Sequence, residues 1–179
     1  ERVIGEFFES GMNAMLDFPL NIELRSVLKE GKPTANLGYR LETRQSYFDH
    51  TRLLTFIDNH DMERFLKGAG LASLKQALAF IFTVPGIPVV YYGTEQGFVE
   101  TRAAMFEDGF QSGGLNHFET QSELYKYTSD LAKLRLEHPA LRYGRVEVLK
   151  SDPNGPGIFA YSLEHGNEKI YVIMNTAGA

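Results

Sequence analysis

The sequence contains no cysteine among its 179 residues. That absence excludes disulfides and cysteine catalysis. No run of about 18 apolar residues occurs, so the sequence predicts no membrane-spanning helix and no membrane partner. An excess of basic residues is also lacking, since the net charge is −5. The sequence therefore predicts no nucleic-acid partner.

The composition is ordinary for a soluble globular protein, with 43% hydrophobic and 23% charged residues. Strand-like and helix-like segments alternate over most of the chain, and only strands follow. The first strands are predicted at residues 2–8, 14–20, 52–57 and 88–92. Helices are predicted at residues 22–30 and 71–83 and from a Thr120–Glu123 capping box to Pro139, with loop and some helix over 31–48. The last strands are predicted around residues 145–148, 158–161 and 170–173.

The early strands are continuously apolar rather than alternating. Such strands are typical of a parallel sheet that helices cover on both faces. A complete eight-stranded (β/α)8 barrel needs about 250 residues, so four strands amount to half of one. The sequence therefore predicts an α/β fold with half a barrel over residues 1–143. Residues 144–179 are predicted to form the first strands of an all-β sandwich domain.

Polar side chains follow three of the four early strands. They are Glu6, the Asp-Asn-His-Asp run at residues 58–61, and Glu95 with Gln96. Active sites of parallel α/β folds lie at this edge of the sheet. Carboxylates that converge with a histidine indicate acid/base hydrolysis or a metal site.

Two of these carboxylates are suited to different roles. Apolar neighbours of Glu6 would raise its pKa by desolvation and favour proton donation. Asp61 lies in a polar run and is expected to stay ionised. The structural alternatives are that Glu6 is a solvated strand end, and that Asp58 or Asp61 caps the next helix.

Several segments resemble the alpha-amylase family of glycoside hydrolases, in the order in which that family places them. Residues 53–65 are similar to its seventh-strand motif, 86–95 to its eighth, 3–6 to its fifth and 13–20 to its sixth. The segment 133–142 is similar to its last barrel helix. The resemblance implies the C-terminal half of the barrel, strands five to eight, and retaining cleavage of alpha-linked glucans or maltooligosaccharides.

The resemblance also implies roles for individual residues. Glu6 matches the general acid/base, Asp61 the carboxylate that stabilises the transition state, and His60 a histidine that binds the same sugar. Arg102 falls where some members place a glycan-binding arginine, although a surface salt bridge is an equal alternative.

Nothing in the sequence matches the nucleophilic aspartate of the family, so this chain alone is expected to hydrolyse no glucan. No metal ligands and no cofactor are predicted for these residues, and a structural calcium of a longer enzyme would draw mainly on residues outside them. A transglycosylase and a non-catalytic amylase-like interaction module remain alternatives. The open edges of a half barrel lead us to expect self-association, without a defined oligomeric state.

Overall fold

A computed structural model describes residues 2–47 and 49–178. The helices are α1 Arg2–Glu9, α2 Phe18–Glu30, α3 Ala35–Tyr47, α4 Leu71–Thr83, α5 Glu123–Glu137 and α6 Ala140–Tyr143. The strands are β1 Met15–Leu16, β2 Leu53–Phe56, β3 Ile87–Val89, β4 Arg145–Lys150, β5 Ile158–His165 and β6 Glu168–Asn175. Short 3-10 turns lie at His50–Arg52 and Thr94–Gln96.

The first sheet is parallel, with its three strands in the order β1–β2–β3. Leu54 of β2 is in register with Leu16 on one side and Ile87 on the other. Helices α2 and α3 connect β1 to β2, and α4 connects β2 to β3. The prediction of an α/β fold is confirmed in outline: a parallel sheet with helices comes first along the chain, and an antiparallel sheet follows it. The numbering of the strands as five to eight of a barrel stays a prediction.

The predicted strand at residues 2–8 is wrong. This segment forms α1, and none of the helix's residues is buried. Its apolar residues Val3, Ile4, Phe7 and Phe8 are spaced by three and four positions, a period that fits one face of a helix as well as a short buried strand. The parallel sheet therefore has three strands among the described residues rather than the four predicted.

Several element boundaries also differ from the predictions. The strand predicted at residues 14–20 is present only as β1, Met15–Leu16, and the helix predicted from residue 22 already begins at Phe18. Asp17 caps that helix and Pro19 fits its first turn, so the apolar run ends in a helix rather than a strand.

The mixed segment 31–48 contains the 13-residue helix α3. Helix α5 begins at Glu123, and its N-cap is Ser122 rather than Thr120. The Ser122 hydroxyl accepts a hydrogen bond of 3.2 Å from the Tyr125 N–H, which satisfies a donor that the first turn leaves free.

A buried ion pair joins three parts of the parallel layer. The Asp17 carboxylate follows β1 and caps α2, accepting a hydrogen bond of 3.0 Å from the Leu20 N–H. Its other oxygen lies 2.7 Å from Arg44 Nε on α3, and both side chains are buried. Arg44 Nη2 also donates to the Pro85 carbonyl, just before β3, at 3.1 Å. Burial raises the pKa of Asp17, and the guanidinium acts in the opposite direction.

The residue after Pro85 must be glycine. Gly86 has a φ of 132°, and a Cβ there would lie 2.7 Å from the Leu53 carbonyl oxygen of the neighbouring strand. That approach is too close for any side chain. The missing side chain therefore lets the chain enter β3 tightly against β2, beside the Arg44 guanidinium.

The second sheet is antiparallel, in the order β4–β5–β6, and packs against the helices of the first layer. The Phe80 ring of α4 lies 6.3 Å from the Phe159 ring and 5.9 Å from the Tyr161 ring, between centroids. The Thr83 and Tyr161 hydroxyls are 2.6 Å apart. Buried residues from both layers form one continuous hydrophobic core. The predicted strands of the C-terminal segment are therefore present, and the domain boundary at residues 143/144 stays a prediction.

Two polar contacts fix this sheet to the helices. The Gln45 side chain on α3 exchanges two hydrogen bonds of 2.8 Å with the backbone N–H and carbonyl of Val146. On the other side, Glu168 at the start of β6 accepts from His138 Nδ1 at 2.6 Å and from the Ala140 N–H at 2.7 Å. These contacts lower the pKa of Glu168, the backbone N–H contributing most.

We predict that Arg44→Met lowers the free energy of unfolding by about 3–5 kcal/mol, because it leaves the Asp17 carboxylate buried without its cation. Urea unfolding measures the loss. The double variant Asp17→Asn/Arg44→Met should recover part of it, since the asparagine oxygen can still cap α2. A loss below about 1 kcal/mol in Arg44→Met would contradict the role given to the pair.

We also predict that Glu168→Gln removes part of the pH dependence of stability. The folded-state pKa of Glu168 lies below its ordinary value of 4.5. Its contribution is therefore present above about pH 4.5 and lost as pH falls through the folded pKa. Thermal melts should show the variant less stable at pH 7, with the difference shrinking in acid.

The matched control is Glu164→Gln. Glu164 is an exposed carboxylate on the same sheet, 3.5 Å from Lys169 Nζ. Exposed pairs of this kind contribute little to stability, so this variant should have the melting temperature of the parent both at pH 7 and in acid. Equal effects of the two substitutions would mean that Glu168 contributes only general surface charge.

Candidate functional site

The loop that follows β2 is organised around a buried carboxylate. Asp58 accepts hydrogen bonds from the Phe65 N–H at 2.5 Å and from the Thr94 hydroxyl at 3.0 Å. Burial raises its pKa, while these donors and two nearby arginines act in the opposite direction. The N-cap of α4 is Gly70. Neither Asp58 nor Asp61 therefore caps that helix, and Asp58 instead closes the loop onto the segment after β3.

Arg64 fixes the same two loops from the other side. Its Nη2 donates to the Tyr92 carbonyl at 2.8 Å, and its Nη1 donates to the Thr94 hydroxyl at 3.3 Å. The buried guanidinium also lies over the Tyr91 ring, 4.1 Å from its centroid. Sequence reasoning missed the positioning roles of Asp58 and Arg64, and the only signal for them was their place in the 53–65 motif.

Three of the four predicted site residues lie together on the outside of this loop. His60 Nε2 is 3.2 Å from one Asp61 carboxylate oxygen, and Arg102 Nη2 is 3.6 Å from the other. Arg102 Nε donates to the His60 carbonyl at 3.1 Å. The Asp61 side chain is 70% exposed. An accessible carboxylate therefore lies between an imidazole and a guanidinium, after the C-terminal end of β2.

The turn that carries these residues is shaped locally. Asn59 Oδ1 accepts a hydrogen bond of 2.8 Å from the Asp61 N–H. This contact turns the chain directly after the strand, as asparagine side chains do in such turns. His60 and Asp61 therefore stand outside the packed loop that Asp58 and Arg64 hold.

The structure places Glu6 in a different setting from the one predicted. Glu6 lies on α1, where its Oε1 is 2.6 Å from Arg2 Nη1, and its side chain is 55% exposed. The desolvation expected from a buried strand is therefore absent. No contact joins Glu6 to the Asp61 cluster among those found for the described residues, and its catalytic role stays a prediction.

The described residues contain no group of three or more His, Asp or Glu side chains placed to hold a metal ion. No helix in the same part of the chain is long and apolar enough to cross a membrane. A cavity of about 850 Å³ lies between α3 and the second sheet, away from Asp61; its lining includes Glu42, Gln45, Arg145, Glu147, Ser162 and Glu164.

Comparison with known proteins identifies the family. The family model for the alpha-amylase catalytic domain matches residues 11–120, which include His60, Asp61 and Arg102 and begin after Glu6. An alpha-amylase of Niallia circulans is 35% identical over 177 residues, covering 93% of this chain and 30% of that protein. A cyclomaltodextrin glucanotransferase of Thermoanaerobacterium thermosulfurigenes is 32% identical over 171 residues, covering 93% of this chain and 22% of that protein.

Solved structures give the same result. An Anoxybacillus alpha-amylase superimposes with a TM-score of 0.80 at 26% identity, over 98% of this chain and 38% of that one. The cyclomaltodextrin glucanotransferase CldA superimposes with a TM-score of 0.74 at 33% identity, over 89% of this chain and 32% of that one. The chain thus spans roughly a fifth to two fifths of the length of these relatives. Because the family model matches more than half of its residues, the chain belongs to the alpha-amylase family.

Proposed function

We propose that this protein acts on alpha-linked glucans as part of a retaining glycoside hydrolase. The observation that carries the proposal is the exposed cluster of His60, Asp61 and Arg102 after β2, in a chain of this family. An alpha-amylase of Geobacillus thermoleovorans with the same fold, at a TM-score of 0.78, has been solved in complex with acarbose. That complex supports a sugar-like ligand for the fold.

The chemistry of the cluster fits a sugar that develops positive charge. Cleavage of a glycosidic bond passes through a transition state that resembles an oxocarbenium ion. An ionised Asp61 would accept hydrogen bonds from sugar hydroxyls and stabilise that charge. His60 would bind the same sugar, and Arg102 would hold the carboxylate in orientation from its other oxygen.

Glu6 is proposed as the general acid/base, on the resemblance of residues 3–6 alone. In that role it would protonate the leaving oxygen and later take a proton from the attacking water. It would have to exchange its pairing with Arg2 for a position near the sugar. The covalent step needs a further carboxylate, and no residue of this sequence is proposed as that nucleophile.

The proposed arrangement is barrel strands five to eight over residues 1–143, followed by an all-β domain from residue 144. A structural calcium, if the whole enzyme holds one, is proposed to draw on ligands outside these residues.

Transfer of the sugar to another glucan is the second candidate reaction. It is favoured by the cyclomaltodextrin glucanotransferases among the relatives, one of which, from Paenibacillus macerans, is 40% identical over 141 residues. Hydrolysis and transfer differ in whether water or a sugar hydroxyl attacks the glycosyl intermediate. The third candidate, a non-catalytic interaction module, is disfavoured because Asp61 and His60 are both present and accessible.

We predict that Asp61→Asn weakens binding of maltoheptaose by roughly tenfold or more, because hydrogen bonds to a charged group are lost. Titration of the 179-residue chain followed by NMR measures the affinity, and His60→Ala should weaken it in the same direction. The matched control is Asp130→Asn. Asp130 on α5 is also 70% exposed, and its carboxylate lies 3.0 Å from Lys133 Nζ.

The control should bind the sugar like the parent, which separates a local contact from a change in net charge. Parent-like affinity in both Asp61→Asn and His60→Ala would mean that the cluster does not bind glucan.

A further inference from the structure

The connection from β3 to α5 exposes several large apolar side chains. We call residues 102–118 the aromatic loop. Phe106 and Phe110 are 60% and 70% exposed, and Leu115 and Phe118 are 60% exposed each. Single exposed apolar residues are ordinary, but a concentration within one short segment indicates a binding surface.

This exposure does not come from a lack of structure in the loop. The Ala104 N–H donates to the Phe110 carbonyl at 2.8 Å, and the His117 N–H donates to the Met105 carbonyl at 2.7 Å. A small cluster of Phe98, Ala103 and Met105 is buried beneath them. The loop therefore has a core of its own, and its larger aromatic rings lie outside that core.

The backbone of the loop is adapted to this arrangement. A Cβ at Gly109 would lie 2.1 Å from the Ala104 Cβ and 3.0 Å from the Phe106 ring, so glycine leaves the space into which that ring fits. Gln111, next to Phe110, has a φ of 56°, a left-handed conformation that no other non-glycine residue of the described chain adopts. Side chains are rarely held in this conformation, and such residues are concentrated at ligand sites.

The aromatic loop begins at the candidate site. Arg102 is its first residue, hydrogen-bonded to the His60 carbonyl and close to Asp61. Phe106 follows four residues later, so its Cα lies within about 14 Å of the Arg102 Cα. A ligand of several sugar units at Asp61 is long enough to reach this surface.

A phenylalanine ring has no hydrogen-bonding group, so it can contribute only apolar contact. The C–H faces of glucose units are suited to such contact, while their hydroxyl edges suit the carboxylate and imidazole of the cluster. Building on the proposed function, we propose that the aromatic loop binds the distal units of a long alpha-glucan, with Phe106 and Phe110 stacking on sugar faces. The loop then selects for chain length, because a short oligosaccharide bound at Asp61 does not extend to it.

The test compares two sugars with one double variant. Maltoheptaose and maltotriose are titrated by NMR into the 179-residue parent chain and into Phe106→Ala/Phe110→Ala. We expect maltoheptaose affinity to fall by roughly threefold to tenfold and maltotriose affinity to change less than about twofold. In the parent, phenylalanine ring signals should shift with maltoheptaose. Because both rings are exposed, the melting temperature should not fall.

Tyr171→Ala is the matched control. Tyr171 is an aromatic residue of β6 with 61% exposure, and it belongs to the second sheet rather than to the loop. Its removal should leave both affinities unchanged. Suppose that the parent binds both sugars through Asp61 and the double variant binds maltoheptaose as tightly as the parent does. The binding role proposed for the aromatic loop is then wrong, and the proposed function stands.

Two other outcomes also count against the inference. Equal weakening of both sugars by the double variant would mean that the loop only positions Arg102. If the parent binds neither sugar, the proposed function fails and the inference fails with it.

Discussion

The buried pair of Asp17 and Arg44 is the contact on which the parallel layer depends. Removing two charges from water costs several kcal/mol per ion, and only good geometry with further hydrogen bonds offsets that cost. Further hydrogen bonds are present here, because the carboxylate also caps α2 and the guanidinium also donates to the Pro85 carbonyl. The pair therefore fixes the start of α2, the end of α3 and the entry to β3 together. The loops beyond the strands then have defined starting positions.

Charged residues near the candidate site divide into two groups by burial. Asp58 and Arg64 are buried and use their polar atoms on backbone and hydroxyl groups of the loops after β2 and β3. Asp61 and Arg102 are exposed and touch each other at the loop surface. Buried polar groups that are fully satisfied hold a structure rigidly, whereas exposed charges keep capacity for a ligand. Such a loop holds an available carboxylate in a defined position, which the proposed binding of a sugar needs.

Segments with a clear hydrophobic pattern were predictable from the sequence. A segment whose spacing fits both a strand and a helix was not, and neither was the burial of individual polar residues. The run that became α4 has a clear helical period, and the run that became β2 is almost continuously apolar. The polar residues directly after β2 indicated a candidate site, and the structure places their side chains after the C-terminal end of that strand. The segment of α1 carries spacing that fits a strand or a helix, so the sequence could not decide between them. Asp58 and Asp61 look alike in sequence because their difference is burial, which depends on Phe65 and Thr94 folding back over Asp58. The contact between Asp61 and Arg102 spans 41 positions of chain and has no local signal.

The shared core of the two layers has a consequence for protein engineering. Phe80 and Gln45 belong to the helices, but their partners Phe159, Tyr161 and Val146 belong to the antiparallel sheet. A chimera that joins this parallel layer to the sheet of another protein would also need substitutions on those helix surfaces, so that they pack against the new sheet. The residues exchanged in such a chimera should therefore include the sheet-facing residues of α3 and α4. These lie far upstream of the residue where the sheet itself begins.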